Sequence, residues 1–315
     1  MIHAAVCYDI GKIRNNNEDA YYFNGRYASL SKMDQGAFLS TETDAAGSLW
    51  AVCDGMGGQS NGEKASYTAV SGMQDLQNYL RGRDFEAVIQ NWVHQANLAV
   101  AEQAAGGGST LAMLYCSGRY MQTAHIGDSR IYRCHDGELI RITKDHSKVE
   151  MLLDSKLITP EEAANHPQKS VITRYLGMDS EYICEASVGK KIPLCSGDRY
   201  LVCSDGITDM LADTEIAALL TAGENAANCV ERIRDAVIAA GARDNLTVIV
   251  LELAALDRMD EMVNHGETLP EENEPTADKE EGGKTGCRID IRIKNPSGCE
   301  VVVHGTPSSV SLNIT

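Results

Sequence analysis

The chain has 315 residues and a mass of 34.1 kDa; 43% of the residues are apolar, 23% are charged, and the formal charge is −17. That composition supplies a sizeable core and excludes a wholly disordered chain. Its negative surface disfavours general binding to nucleic acid or anionic lipid. No apolar run approaches the roughly 18 residues needed to cross a bilayer, and Met1-Ile2-His3-Ala4-Ala5 lacks the basic start and apolar stretch of a secretion signal.

Apolar runs bounded by turn signals predict strands over residues 3–9 and 49–53, then helices over 62–80 and 85–104. In the second helix Val88, Trp92, Ala96 and Ala99 fall on one face. Strands are predicted at 110–116, 120–125 and 131–134, followed by a helix at 147–155. Then come strands at 182–186 and 199–203, helices at 213–222 and 226–240, and a strand at 246–253. Strands grouped consecutively between helices favour antiparallel sheets with helices packed outside.

The composition changes near residue 255. Residues 257–284 hold ten acidic and three basic residues, two prolines and a Gly-Gly pair, the pattern of a solvated linker. Short β segments at 288–293, 300–304 and 309–314 then suggest a three-stranded unit too small to bury a core alone. Ten cysteines are scattered with no C-x-x-C pair, and several sit in apolar runs (Cys53, Cys116, Cys203). They read as buried reduced thiols of a cytoplasmic protein. Cys287 and Cys299 remain the only disulfide candidates.

The informative feature is where the acidic residues fall. Asp54-Gly55 ends the apolar strand at 49–53, Asp205-Gly206 follows the one at 199–203, and Asp244-Asn245 immediately precedes the strand at 246–253. Glu18-Asp19 leads into Ala20-Tyr21-Tyr22-Phe23. Carboxylates at the edge of a core need counter-charge, and hard oxygen ligands without His or Cys select Mg²⁺ or Mn²⁺ over zinc. Each Asp-Gly alone also reads as a common turn. In Asp54-Gly55-Met56-Gly57-Gly58 the glycines leave the backbone bare, so that the Gly55 carbonyl can reach a metal. Arg14, four residues before Glu18, suits bidentate phosphate binding, or is a surface arginine near a polar turn. Gly127-Asp128-Ser129-Arg130 read alone is a hairpin turn.

Together these pieces resemble the metal-dependent protein phosphatases, the type 2C (PPM) serine/threonine phosphatases, and especially their bacterial members. Eight segments occur in the family's order across residues 1–254. They are Arg14-x-x-x-Glu18-Asp19, Asp54 to Gly58, Gly108-Ser109-Thr110, Gly127-Asp128-Ser129-Arg130, Thr143-Lys144-Asp145-His146-Ser147, Val171-Ile172-Thr173-Arg174-Tyr175-Leu176-Gly177, Ser204-Asp205-Gly206-Ile207-Thr208-Asp209 and Arg243-Asp244-Asn245.

The resemblance implies an α+β fold, a four-layer α-β-β-α sandwich of two antiparallel sheets, with a dinuclear Mn²⁺ or Mg²⁺ centre at one edge. It implies that Asp54 bridges the metals, that Gly55 offers its carbonyl, and that Asp205 and Asp244 ligate the second ion. Glu18 and Asp19 act through metal-bound water, Arg14 holds the substrate phosphate, and Asp128, Asp205 and Asp209 take a third, weaker metal. The stretch 146–171 matches a substrate-influencing flap. Met56 stands where eukaryotic relatives often carry a His proposed to protonate the leaving group.

The implied domains are a phosphatase domain at 1–254, an acidic linker at 255–286 and a small β unit at 287–315. The implied activity is hydrolysis of phosphoserine and phosphothreonine in proteins by a metal-bridging hydroxide. The implied partners are phosphorylated proteins and a Hanks-type kinase, with the chain a monomer. The alternatives are a catalytically silent phosphoprotein-binding regulator and a small-molecule phosphatase of the same fold. Filled ligand positions weigh against the silent one.

Overall fold

The computed structural model describes residues 1–57, 61–179 and 184–254, together with the backbone of three strands near the C-terminus. The chain divides into two compact units, Met1–Met262 and Val263–Thr315.

In the first unit the elements run β1 (Ile2–Asp9), β2 (Asp19–Phe23), β3 (Ala37–Thr43), β4 (Ser48–Met56), α1 (Asn61–Ser71), α2 (Met73–Leu80) and α3 (Phe85–Gln103). Next come β5 (Gly108–Ser109), β6 (Leu111–Ser117), β7 (Tyr120–Ile126), β8 (Arg130–His135), β9 (Glu138–Arg141), α4 (Lys148–Asp154) and α5 (Pro160–Ala164). The unit closes with β10 (Ser187–Val188), β11 (Ile192–Pro193), β12 (Arg199–Cys203), α6 (Asp205–Thr208), α7 (Asp213–Ala222), α8 (Ala226–Ala240) and β13 (Leu246–Leu253). One antiparallel sheet has the order β3-β1-β13-β12-β8-β9. The other has β10-β7-β6-β4-β2, with β11 on β7 and β5 on β4.

Burial separates the layers. Between the sheets, Val6, Tyr8, Trp50, Val52, Leu114, Val202, Ile249 and Leu251 interdigitate in a fully enclosed core. The opposite face of the β4-bearing sheet packs on α1, α2 and α3 through Leu49, Ala51, Met113, Val70 and Ile89. The opposite face of the β1-bearing sheet packs on α7 and α8 through Leu201, Val248, Ile216 and Ile233. Strands β4, β6, β12 and β13 are buried on both faces, which is why they read as continuous apolar runs rather than alternating ones. This is the α-β-β-α sandwich that the motif order implies.

Several elements depart from the pattern expected from sequence. The helix expected over 62–80 is two helices separated at Gly72, the weakest helix former in that stretch. The buried stripe of α3 is Phe85, Val88, Ile89, Val93, Ala96, Asn97 and Val100; of the expected face, Val88 and Ala96 are buried, Trp92 is half-buried against the same core, and Ile89, Val93 and Val100 widen the stripe. Residues 184–186 are not a strand. Gln90 accepts from the Ala186 N–H at 3.0 Å and donates to its carbonyl at 2.9 Å, so a side chain satisfies the backbone groups a ladder would have used. The rest of that expected strand, residues 182–183, lies outside the described residues. Strands β2, β3, β5, β9, β10 and β11 and helices α5 and α6 are not among the expected elements.

The second unit contains three antiparallel strands, β14 (Ile289–Lys294), β15 (Glu300–Thr306) and β16 (Ser309–Ile314), in that order. The acidic stretch 257–284, Cys287 and Cys299 lie outside the described residues.

The intersheet core makes a direct prediction. Leu114→Ala should lower the unfolding free energy by about 2–5 kcal/mol in urea denaturation, because the cavity opens between two rigid sheets. Leu157→Ala, at a position 70% exposed, should change it by no more than about 0.5 kcal/mol.

Candidate metal centre

Five chain segments bring acidic side chains to one end of the sandwich. In the β2–β4 pair, Asp19 lies directly opposite Asp54, and β4 continues through Gly55 and Met56 onto β5. Ser204 follows β12 and opens the one-turn helix α6, whose first residue is Asp205; Asp209 closes it. Asp244 stands just before β13, and Asp128 sits in the turn between β7 and β8.

The two Asp-Gly pairs are more than turns. A Cβ at Gly55 would run into the carbonyl oxygens of Gly62 and Glu18, and one at Gly206 into that of Asn245. Only glycine lets these backbones approach behind the aspartates.

Polar side chains fix the strand ends. The Asp54 N–H donates to Thr110 Oγ1 at 2.8 Å, and Thr110 Oγ1 lies 2.7 Å from Ser129 Oγ. The hydroxyls of Ser204 and Thr247 donate to Asp19 Oδ2 at 2.7 and 2.6 Å. Asn245 Oδ1 accepts from the Glu18 N–H at 2.8 Å, and its Nδ2 donates to the carbonyls of Ile10 and Asn16 at 3.0 and 2.9 Å. The loop carrying Arg14 and Glu18 is thus tied to the start of β13.

The electrostatics are those of a cluster in need of positive charge. Burial pushes the Asp19 carboxyl up to about 7 against the two hydroxyl donors, with Asp205 and Asp244 adding repulsion. Asp205 is pushed up to about 6 by burial and by Asp244 and Asp209. Asp128 is pushed up to about 7 by burial and by Asp205 and Asp145, and its Oδ1 is buried without a hydrogen-bond partner. Asp54 is raised well above the usual carboxylate range by burial, then by Asp205, Asp19 and Asp128.

Like charges directly opposed across a strand pair destabilise a sheet, and buried ionised carboxylates need a counter-charge. The donors are carboxylate and carbonyl oxygens alone. This set fits hard divalent ions such as Mn²⁺ or Mg²⁺ and not a thiophilic one.

A cleft of 760 Å³ opens over these groups. Of the residues expected from sequence, Arg14, Glu18, Asp54, Gly55, Asp128, Asp205, Asp209 and Asp244 all line it. Asp19 is buried beneath the cleft wall, 1% exposed. At the rim, Arg14 Nη2 pairs with Asp244 Oδ2 at 2.7 Å, and Lys169 Nζ, in the 146–171 stretch, pairs with Asp209 Oδ2 at 3.1 Å. The base of that stretch is anchored to the Asp128 turn: the His146 N–H donates to the Gly127 carbonyl at 2.8 Å, and the Gly127 N–H to His146 Nδ1 at 3.1 Å.

The family profile described as Protein phosphatase 2C matches residues 31–240. The chain belongs to the protein phosphatase 2C family. It is 35% identical over 277 residues to the serine/threonine protein phosphatase PstP of Mycobacterium tuberculosis, an alignment spanning 86% of this chain and 47% of PstP. The chain therefore spans about half the length of that relative. It is 32% identical to the protein phosphatase PhpP of Streptococcus pneumoniae, over 78% of this chain and 95% of PhpP. The crystal structure of the PstP catalytic domain in complex with two manganese ions superposes with a TM-score of 0.65 at 32% identity, covering 81% of this chain and all of that one.

Within this protein phosphatase 2C domain, the parts least visible in sequence are the positioning groups. Ser204 and Thr247 read as ordinary strand residues, and only the β12–β13 register sets them together on Asp19. Glu63 also lines the cleft, where Asn16 Nδ2 donates to it at 3.3 Å, yet an acid in the first turn of a helix such as α1 looks unremarkable.

The raised carboxyl pKa values fix the sign of a pH effect. Groups whose folded pKa exceeds the unfolded value near 4 stabilise the fold at low pH and lose that contribution as pH rises through the folded value. Burial depresses His125 and His146, the latter to about 4, so their opposite contribution is complete above the ordinary histidine range. In chelator, the thermal midpoint should fall as the pH rises from about 6.5 through about 7, as Asp19 and Asp128 ionise, with the raised Asp54 acting in the same direction. Saturating Mn²⁺ should flatten the decline. Scanning calorimetry showing a flat or rising midpoint in chelator would contradict this account of the cluster.

Proposed function

We propose that the chain is a metal-dependent protein serine/threonine phosphatase. The observation that carries this reading is the enclosed carboxylate cluster with its counter-charge deficit, opening into a cleft with an arginine at the rim. The bound manganese in the PstP catalytic domain supports it.

In this reading Asp54, the Gly55 carbonyl, Asp205 and Asp244 hold two Mn²⁺ or Mg²⁺ ions. Glu18 and Asp19 act through intervening water, and Asp128, Asp205 and Asp209 offer a third, weaker position. When bound, the ions supply charge neutralisation for a phosphoryl group and acidify water for attack on phosphorus. Arg14, half exposed on the cleft wall, exchanges its Asp244 partner for the outer oxygens of the substrate phosphate. Thr110 and Ser129 fix the Asp54 backbone, Ser204 and Thr247 fix Asp19, and Asn245 fixes the loop of Arg14 and Glu18. Among the described residues the cleft lining holds no histidine, and Met56 carries no transferable proton, so in this reading the leaving oxygen takes its proton from water or a carboxyl.

The substrates in this reading are phosphorylated proteins, including targets of a Hanks-type kinase, and the setting is the cytoplasm. Seven of the eight described cysteines are buried, and all eight are free, which suits a reducing compartment. No helix among the described residues is long and apolar enough to cross a membrane.

The test is hydrolysis of a phosphothreonine peptide and of p-nitrophenyl phosphate with and without Mn²⁺. Turnover should require the metal, and Asp54→Asn and Asp205→Asn should each reduce it at least about a hundredfold, as loss of a principal electrostatic group does. Wild-type turnover by either folded variant would refute the assignment.

The domain layout belongs to the same proposal: catalysis in residues 1–254, a tether at 255–286 and a separate β unit at 287–315. Deleting residues 256–315 should leave p-nitrophenyl phosphate turnover within about twofold while changing protein-substrate preference. A folded truncation without small-substrate activity would overturn that division.

A further inference from the structure

The sandwich has a second cluster of metal-ligating side chains at the end remote from the carboxylates. Strand β8 starts at Arg130 beside Asp128 and ends at His135, five steps and roughly 17 Å along the sheet. Antiparallel to it, β12 begins at Arg199, so Asp198 comes alongside His135. Cys195 is held next to both by a tight turn. The Asp198 N–H donates to the Cys195 carbonyl at 3.2 Å, and Gly197 takes a left-handed φ of +84° that suits glycine at the third turn position. The Gly197 N–H and the Asp198 carbonyl both bond to Leu253, which fixes the turn to the end of β13.

We propose that His135, Cys195 and Asp198 form a second metal site, for a borderline-soft divalent ion of the Zn²⁺ type. One ligand atom from each lies within 4.8 Å of the others. Tetrahedral Zn²⁺ with bonds of about 2.0–2.3 Å sets its ligand atoms roughly 3.3–3.8 Å apart, so His135 Nδ1 and Asp198 Oδ1, now 2.6 Å apart, would separate to admit the ion, a change within reach of side-chain rotation.

The surroundings match a site with three protein ligands and one open position. Asp198 is fully buried as a side chain, and its Oδ2 is held by Arg133 at 2.6 Å while Oδ1 faces His135 Nδ1 at 2.6 Å. Arg133, whose Nη2 also lies 3.4 Å from His135 Nδ1, thus orients the carboxylate, the role an outer hydrogen bond plays in protein metal sites. His135 is 40% exposed, leaving a path for ion and water. Cys195 is the only one of the eight described cysteines that is not buried.

Charge balances as well. A thiolate and a carboxylate offset the divalent ion, and Asp136, its Oδ2 3.5 Å from His135 Nε2, offsets Arg133. A thiolate ligand selects this site against Mg²⁺ and Mn²⁺, so it does not compete with the carboxylate cluster for the same ions. Binding would clamp the β8–β9 hairpin to the turn before β12.

The test is a Co²⁺ titration of the full chain in saturating Mn²⁺, followed by thiolate-to-cobalt charge-transfer absorption, which oxygen ligands do not produce. One equivalent of Co²⁺ should raise the band, and Cys195→Ser should abolish it while Mn²⁺-supported turnover stays unchanged. In competition with a chromogenic chelator, His135→Ala should weaken Zn²⁺ binding at least about tenfold. No charge-transfer band, an undiminished band in Cys195→Ser, or unchanged Zn²⁺ affinity in His135→Ala would each overturn the site. The last two outcomes would leave the His135–Asp198–Arg133 contacts as a structural ion-pair network.

Discussion

Like charges held together against their own repulsion set the terms for everything else in the first unit. Asp19 and Asp54 face each other across one strand pair, and Asp205 and Asp128 crowd them from two further segments. An ionised carboxylate taken from water into a protein interior costs several kcal/mol unless compensated. The chain meets that cost by fixing the backbone ends that carry the acids. Glycines at 55 and 206 let neighbouring segments close behind them, and four hydroxyls and one asparagine fill the hydrogen-bonding positions around them. Three apolar layers then hold the strands so that the cluster cannot spread.

That division of labour explains what the sequence makes legible. Strands buried on both faces, such as Leu246–Leu253, announce themselves as apolar runs, and an aspartate at the end of such a run stands out against its neighbours. Asp54, Asp205 and Asp244 are visible for that reason. Strand β2 is less visible because it is short and begins inside a polar motif, although all five of its residues are buried. Residues 184–186 mislead because the Gln90 side chain, about a hundred positions earlier, replaces their ladder.

The supporting groups are hidden for a different reason. Ser204 and Thr247 are 43 positions apart in sequence and acquire a joint role only through strand register. Thr110 and Ser129 meet through the β6–β7 hairpin. A hydroxyl in a strand carries no local signal of its partner, and neither does the approach of His135 to Cys195 and Asp198, which depends on where β8 and β12 happen to end. Most residues that bear charge at the site are marked by local pattern, Glu63 apart; which groups the positioning residues touch is set by topology.

The two rim ion pairs show how such a centre stays open to exchange. Arg14–Asp244 and Lys169–Asp209 have side chains between 37% and 48% exposed, and pairs of that exposure are worth about 0–1 kcal/mol. A phosphate competing for Arg14, or a cation competing for Asp209, therefore meets little resistance. By contrast, Arg130 donates from both Nε and Nη2 to the nearly buried Asp145, 2.8 Å from Nη2, below the 146–171 stretch, where solvent screening is weak. The firm pair holds the base of that stretch and the weak ones face the cleft, so Lys169 can release Asp209 without loosening the turn that carries Asp128.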